Sequence, residues 1–295
     1  FGYLLTTDTS QQKMLFLVGP KRAGKGTIAR VLKALVGERN FVGPTLNSLT
    51  TEFGLAPLVG RSVALIDDAR LSGRADSAIV TERLLSVTGE GTMTVNRKHR
   101  DGVSCKLSTR FVILTNELPR IADTSGALAG RVILLQLTKT FFGREDTGLT
   151  ERITATELPG IMLWAIEGLR RLKARGRFLQ PGSGAEAIAD LEDLGSPVGT
   201  FLRERCVIDL AGRCDTKELF ESWKAWCEET GRKEHGTTQV FGRDLKAIIP
   251  GLKIKKVKQS GEYFRVYHGI RLANESDLFG GEDGGAVARN LPLHA

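Results

Sequence analysis

The residues best placed to do chemistry follow the first apolar run. MLFLVG at 14–19 leads into GPKRAGKGT at Gly19–Thr27, and TIARVLKALVG comes next. A glycine-rich turn between a buried strand and a helix offers backbone N–H groups and the positive end of the helix to an anion, and Lys25 adds a point charge. Gly19, Pro20, Lys21, Arg22, Ala23, Gly24, Lys25, Gly26 and Thr27 are therefore the candidate cradle for the phosphates of ATP. The residue after such a lysine is usually a Ser or Thr whose hydroxyl holds Mg²⁺. Here it is Gly26, so Thr27 is the candidate metal ligand, directly or through a water.

A second apolar run, SVALI at 62–66, ends in Asp67 and Asp68. Beside a phosphate site, one carboxylate can hold the Mg²⁺ that bridges phosphates and the other can orient an attacking water. Taken alone, two aspartates after a strand more often describe a solvated turn; 42 residues after Lys25, they are better explained as the metal side of the same site. A third run, RFVILTN at 110–116, ends at Asn116, whose amide can sense a terminal phosphate or hold a water, or can simply close a turn.

These groups need a parallel sheet to bring them together. Short continuous apolar runs suit strands buried on both faces. Ile28, Val31, Leu32, Leu35 and Val36 fall on one helical face, with Gly37 as the expected cap. Strand ends of such a sheet converge on one crevice, so an α/β fold is expected. Between the second and third runs, TMTVNRKHRDGVSCKLS alternates apolar and polar residues and returns from Val103 to Leu107. This is the pattern of a hairpin with an Asp-Gly turn. Its tip gathers Arg97, Lys98, His99 and Arg100, cations that suit solvent or a nucleic-acid backbone.

The Pro/Gly/Ser break QPGSGAEA separates the first domain, 14–180, from the rest of the chain. Residues 1–13 and 181–200 are expected as linkers, the latter with a short helix, 201–273 as a smaller domain, and 274–295 as a flexible, Gly-rich acidic tail. In the smaller domain, TKELFESWKAWCEETG and VFGRDLKAIIPG read as helices, with Leu219, Phe220, Trp223 and Trp226 at core spacing. LKIKKVKQ and EYFRVYHGIRL read as two strands joined by a Ser-Gly turn. Helices followed by a basic hairpin describe a winged-helix-like α+β module in which Lys253, Lys255, Lys256 and Lys258 either ride a phosphate backbone or cover a solvated face.

Lys plus Arg number 42 against 34 Asp plus Glu, a net +8 that favours polyanionic partners. The sequence has no apolar run long enough for a bilayer and no basic-then-apolar start, so a cytoplasmic protein with no membrane partner is expected. Cys105, Cys206, Cys214 and Cys227 are too scattered for a disulfide scaffold, and with His235 they lack the close CxxC pairs of structural zinc sites.

The order GPKRAGKGT, ALIDDAR, ERLLSVTGEGTMTVNRKH, FVILTNELP and GALAGRVILL resembles superfamily 3 helicases. More narrowly, it is similar to the helicase portion of phage and plasmid primase-helicases of the phage P4 type and their poxviral D5-like relatives, over about residues 14–178. The resemblance implies an AAA+-like P-loop NTPase core in a hexameric ring, using ATP and Mg²⁺ to move on single-stranded or forked DNA, with a primase domain or protein as a possible companion. It places Lys25 and Thr27 in motif A, Asp67 and Asp68 in motif B, Asn116 in motif C, Lys98 and His99 on a pore hairpin, and Arg131 as an arginine finger. Two other readings stay open: a nucleotide-switched DNA-binding or loading protein, and a small-molecule kinase suggested by GKGT.

Overall fold

The computed structural model describes residues 1–69, 74–119, 121, 123, 126–232, 235–259, 262–274 and 277. Most of the expected tail, 274–295, and the Ser260-Gly261 turn lie outside the described residues. By their internal contacts the residues group into two compact units, one comprising 1–123 and 127–194, the other mainly 195–295.

The first unit is built on five parallel strands: β1 (Met14–Val18), β2 (Phe41–Val42), β3 (Val63–Asp67) and, after a separate hairpin of β4 (Thr92–Arg97) and β5 (Arg100–Lys106), β6 (Arg110–Thr115) and β7 (Val132–Gln136). Their order across the sheet is β2-β3-β6-β1-β7. Every residue of β6 is buried, as a central parallel strand requires. Its side chains alternate between two cores. Phe111 and Ile113 join Phe16, Ala64 and Ile66 on one face, whereas Val112 and Leu114 join Leu17 and Val63 on the other. The helices α1 (Lys25–Val36), α2 (Leu46–Thr50) and α3 (Arg74–Thr88) complete the layers. Leu32 and Val36 of α1 cover the second face; Leu46 and Leu49 of α2 and Val80 and Leu84 of α3 cover the first. Each fully buried Leu or Phe contributes about 1.5–3 kcal/mol, so the sheet is held mainly by these two apolar layers. Gly37 ends α1 at φ 83° with its N–H on Lys33 O, the cap its position predicts.

Past β7 come α4 (Leu149–Arg152), one π-helical turn (Ile153–Glu157), α5 (Leu158–Arg175) and α6 (Ala185–Gly195). The stretches expected as linkers are structured. Near the amino terminus, Tyr3 and Leu4 are buried, and the buried Arg110 donates to Leu4 O (3.0 Å) and Thr6 O. Within 181–200, Ala187 and Leu191 of α6 belong to the first core, and Val198 of α7 (Pro197–Arg205) to the core of the second unit. Polar residues outnumber apolar ones in 1–13, and Gly, Pro and polar residues together do so in 181–200, yet a few apolar side chains suffice to pin both stretches.

The second unit is α+β. The helices α7, α8 (Thr216–Glu229) and α9 (Thr238–Ile248) pack around Phe201, Trp223, Trp226 and Phe241. The two tryptophans lie stacked with ring centroids 5.3 Å apart. The strands of this unit form one pair and one three-stranded sheet: β8 (Cys206–Val207) runs antiparallel to β12 (Arg271–Leu272), while β9 (Arg213–Asp215), β10 (Lys253–Gln259) and β11 (Glu262–His268) form a sheet in the order β10-β11-β9. The third strand, β9, has no signal in the sequence beyond Cys214, which pairs with the buried Tyr267. Cys206, Cys214 and Cys227 are packed in this core; burial raises all three thiols, Cys214 to about 12. Among the described residues, no three His, Cys, Asp or Glu side chains converge as a metal site.

Candidate functional site

Three neighbouring strands end together at the carboxyl edge of the parallel sheet. Leu114 of β6 stands beside Asp67 of β3, and Thr115 of β6 beside Val18 of β1. Gly19, Asp67 and Asn116 therefore emerge side by side although 48 and 49 residues separate them along the chain. The chain leaves β1 toward β2, β3 and β6 on one side and reaches β7 on the other. A crevice at the carboxyl ends opens where strand order reverses in this way.

The loop after β1 is shaped by glycine at two positions. A Cβ on Gly19 would come within 2.3 Å of Leu137 O, so only glycine fits where this loop passes the segment after β7. Gly24, the residue preceding α1, is left-handed at φ 90°, and a Cβ there would meet nothing within 4 Å. Arg22 is also left-handed at φ 60°. Turns of this handedness aim loop amides at an anion, and α1 adds the positive end of its dipole. The segment after β7 braces the loop from outside: Thr140 Oγ1 donates to Lys21 O (2.8 Å), Phe141 N–H to Arg22 O (3.0 Å), and Arg22 pairs with Glu145 (3.3 Å). Sequence reading missed Thr140 and Glu145, because nothing local marks a contact more than a hundred residues away.

Lys25 is the centre of the cluster. Its Nζ donates to Gly19 O (2.6 Å), Pro20 O (2.8 Å) and Asn116 Oδ1 (3.0 Å). Burial lowers the ammonium from its ordinary value, and the Asp67 carboxylate works in the opposite sense. Asp67 is exposed at the end of β3. Asp68 follows at φ 63° with its N–H on Leu114 O (3.0 Å). An aspartate tolerates this left-handed backbone better than most residues, yet the conformation still costs energy. Gly26 has room for a side chain, the nearest atom to an added Cβ being Arg30 Nη1 at 3.5 Å. Thr27 Oγ1 sits one residue further along α1, 3.5 Å from Arg30 Nη2. A cation, a loop of amides and a helix end facing two carboxylates can hold an anion together with a divalent cation.

The other singled-out residues lie elsewhere. The β4–β5 hairpin turns at Lys98-His99, with Arg97 opposite Arg100 and His99 at φ 58°. The expected Asp-Gly turn is therefore corrected: Asp101 and Gly102 are inside β5. Arg97 Nε and Nη2 both donate to Asp101 O (3.2 and 2.9 Å), and the register shifts between Val95 and Arg97, so that the turn falls three residues earlier than Asp101-Gly102. Lys98, His99 and Arg100 are exposed, while buried Val95 and half-buried Met93 and Val103 anchor the hairpin in the core.

Arg131 does not join the cluster. It precedes β7, whose first residue, Val132, pairs with Met14 at the start of β1, so it sits at the amino edge of the sheet. At about 3.3 Å per residue, roughly 20 Å of strand separates it from the Gly19 turn. Its guanidinium donates to Leu85 O in the last turns of α3. In the second unit, Lys253, Lys255, Lys256 and Lys258 are all exposed on β10.

Fold and cluster together define an α/β protein with a parallel five-stranded sheet and a candidate anion-binding crevice at its carboxyl edge. A protein family of unknown function, DUF5906, matches residues 17–131, which span this crevice from β1 to the start of β7. Among solved structures, the chain is similar to the apo C-terminal region of NrS-1, with TM-score 0.56 and 15% identity over 92% of this chain and 70% of that one. A second apo form of the same region matches with TM-score 0.52 and 16% identity over 88% and 67%. At this identity the likeness is one of fold. Among the described residues, no helix is long and apolar enough to cross a membrane.

Proposed function

We propose that this chain is an ATP-dependent DNA translocase or helicase of the superfamily 3 type, working as a ring of identical subunits in replication of a phage or mobile element. The observation that carries the reading is the Lys25 ammonium hydrogen-bonded to Asn116 Oδ1 with the Asp67 carboxylate near it, at three adjacent strand ends. In this reading the first unit is the AAA+-like motor domain and the second a winged-helix-like DNA-binding domain. The fold shared with the NrS-1 C-terminal region and the order of the five sequence motifs support it.

Gly19–Thr27 hold the phosphates of ATP, and Lys25 compensates charge that develops on them as the terminal phosphate leaves. Thr27 and Asp67 would hold Mg²⁺, which when bound would supply further positive charge against the developing negative charge. The open left-handed turn at Gly24 and the exposed Asp67 opposite Lys25 fit both groups. Asp68 orients the attacking water, and Asn116 reports the terminal phosphate. The exposed tip of the β4–β5 hairpin, Arg97 to Arg100, grips one DNA strand.

This division of labour is testable at two places. Asp68→Asn keeps the left-handed backbone, which asparagine also tolerates, so the fold survives. ATP binding, read by equilibrium dialysis, is retained while hydrolysis is lost; intact turnover contradicts the role. Lys98→Ala with His99→Ala leaves basal hydrolysis unchanged but weakens single-strand binding. Its salt dependence flattens by roughly 0.7 per lost phosphate contact, and unwinding stops. DNA-stimulated turnover and unwinding at wild-type levels would return the hairpin to a solvated turn.

A forked-duplex strand-displacement assay with ATP hydrolysis measured on the same sample decides among the readings. Displacement coupled to hydrolysis supports the motor. DNA affinity that changes with nucleotide but opens no duplex favours a loading protein. Phosphate transfer to a small molecule without DNA favours a kinase, a reading that leaves the cationic hairpin without a role.

A further inference from the structure

The second unit carries a groove of about 420 Å³ between α9 and the β10–β11 hairpin. From the helix side, Gln239, Arg243 and Lys246 line it, spaced four and three residues apart on one face of α9, while Phe241, Leu245 and Ile248 turn into the core. Gly242 lets the hairpin approach, since a Cβ there would stand 3.0 Å from Tyr267 Oη. Arg265 lines the opposite wall, and among the described residues no Asp or Glu lines the groove. Asp244, buried on α9 outside the groove lining, accepts from Arg243 Nε and Nη2 at 3.4 and 3.5 Å.

The hairpin register divides the lysines of β10 between two faces. Ile254 pairs with Tyr267, Lys256 with Arg265 and Lys258 with Tyr263, all on the face that includes the groove wall. Lys253 and Lys255 pair with His268 and Val266 and belong to the other face. Beyond the buried Tyr267, the groove face therefore carries Arg265, Lys256, Tyr263 and Lys258 outward along the hairpin. Tyr263 is 71% exposed, with the Lys258 ammonium 5.8 Å from its ring centre. Arg243, Lys246 and Arg265 thus line the groove itself, and Lys256, Tyr263 and Lys258 continue the same hairpin face beyond it. Cations set at strand spacing suit a chain of phosphates, and a tyrosine among them suits a sugar or an unstacked base.

We propose that this groove holds the phosphodiester backbone of DNA, gripped by Arg243 and Lys246 on one side and by Arg265, Lys256 and Lys258 on the other. The site rests on the reading of the second unit as a DNA-binding domain and does not depend on the crevice of the first unit. The test uses the full chain without nucleotide, binding short labelled single-stranded and duplex DNA by fluorescence anisotropy across a salt series. Arg243→Gln with Lys246→Gln and Arg265→Gln should lower the slope of log affinity against log salt by about 0.9 per contact on duplex or 0.7 on a single strand, roughly 2 to 3 in all. Arg243→Lys with Arg265→Lys should keep the slope, because charge is conserved, and Lys253→Gln with Lys255→Gln should leave it unchanged.

A loss confined to one DNA form identifies the form that the groove takes. If the triple variant does not fold by circular dichroism, Lys246→Gln alone, at an exposed helical position, should lower the slope by about 1. A folded variant with the wild-type slope on both DNA forms overturns the proposal. ATP turnover and strand displacement measured on the wild type separate the two readings. A working motor whose slope ignores the groove sinks the groove alone, whereas a groove-dependent slope in a chain without turnover sinks the motor alone.

Discussion

If the proposed motor reading holds, Lys25→Ala is expected to abolish ATP hydrolysis, with turnover falling at least on the order of 10²- to 10³-fold, the loss typical of removing one preorganised group that stabilises transition-state charge. The ammonium is held by Gly19 O, Pro20 O and Asn116 Oδ1, so it is already aimed across the loop toward the ends of β3 and β6. These partners are acceptors, and phosphate oxygens are stronger ones, so moving the ammonium onto a phosphate exchanges hydrogen bonds without losing them. The change should not unfold the protein, because Lys25 lies at the first position of α1 and the helix packs through Leu32, Leu35 and Val36. Steady-state phosphate release, with a thermal melt alongside, measures both. Normal turnover in a folded variant removes the assigned crevice and with it the motor reading.

The second large effect concerns Arg131, where geometry restricts the choice. Roughly 20 Å of strand stands between it and the loop of its own subunit, farther than an arginine side chain reaches. Any catalytic role is therefore in trans, on the crevice of a neighbouring subunit, where such a finger is worth on the order of 10³ to 10⁵ in rate. In this structure its guanidinium bonds to Leu85 O, close enough to Gly89 that a Cβ there would meet Nη1 at 2.6 Å. A role in closing the end of α3 is the competing account, and the two make different predictions. Arg131→Ala and Lys25→Ala are each inactive in the trans reading, but mixed at equal amounts they regain activity at about one interface in four, where an intact loop meets an intact finger. A purely structural Arg131 lowers the melting temperature of Arg131→Ala and gives no recovery on mixing. Silence from assemblies shown by native gel to contain both variants overturns the trans assignment.

Much of the crevice is legible before any fold is known, because each piece is local. Strand, glycine turn and helix from Met14 to Val36 follow from an apolar run, a loop and a helical periodicity that lie next to one another in the chain. The same holds for the aspartates that end β3 and for the paired tryptophans of α8, whose spacing places them in a core. Hairpin detail was less legible. Asp-Gly is a strong turn signal, but Arg97 bonds to Asp101 O and the shift at Val95 moves the turn to Lys98-His99, where cations stand at the tip.

The sequence by itself determined which residues sit at strand ends and which helical faces are apolar, since both depend on neighbours within a few positions. Only the tertiary structure decided that β6 lies between β1 and β3, the arrangement that puts Asn116 against Lys25 across 91 residues of chain. It also decided that the stretch expected as a linker around α6 and α7 is packed, that Thr140 and Glu145 brace the loop, that Arg131 stands at the far edge of the sheet, and that the lysines of β10 divide between two faces. The physical reason is the same in each case. Strand order and register are set by how whole apolar faces fit together, and that fit is a property of the packed layers rather than of any segment read alone.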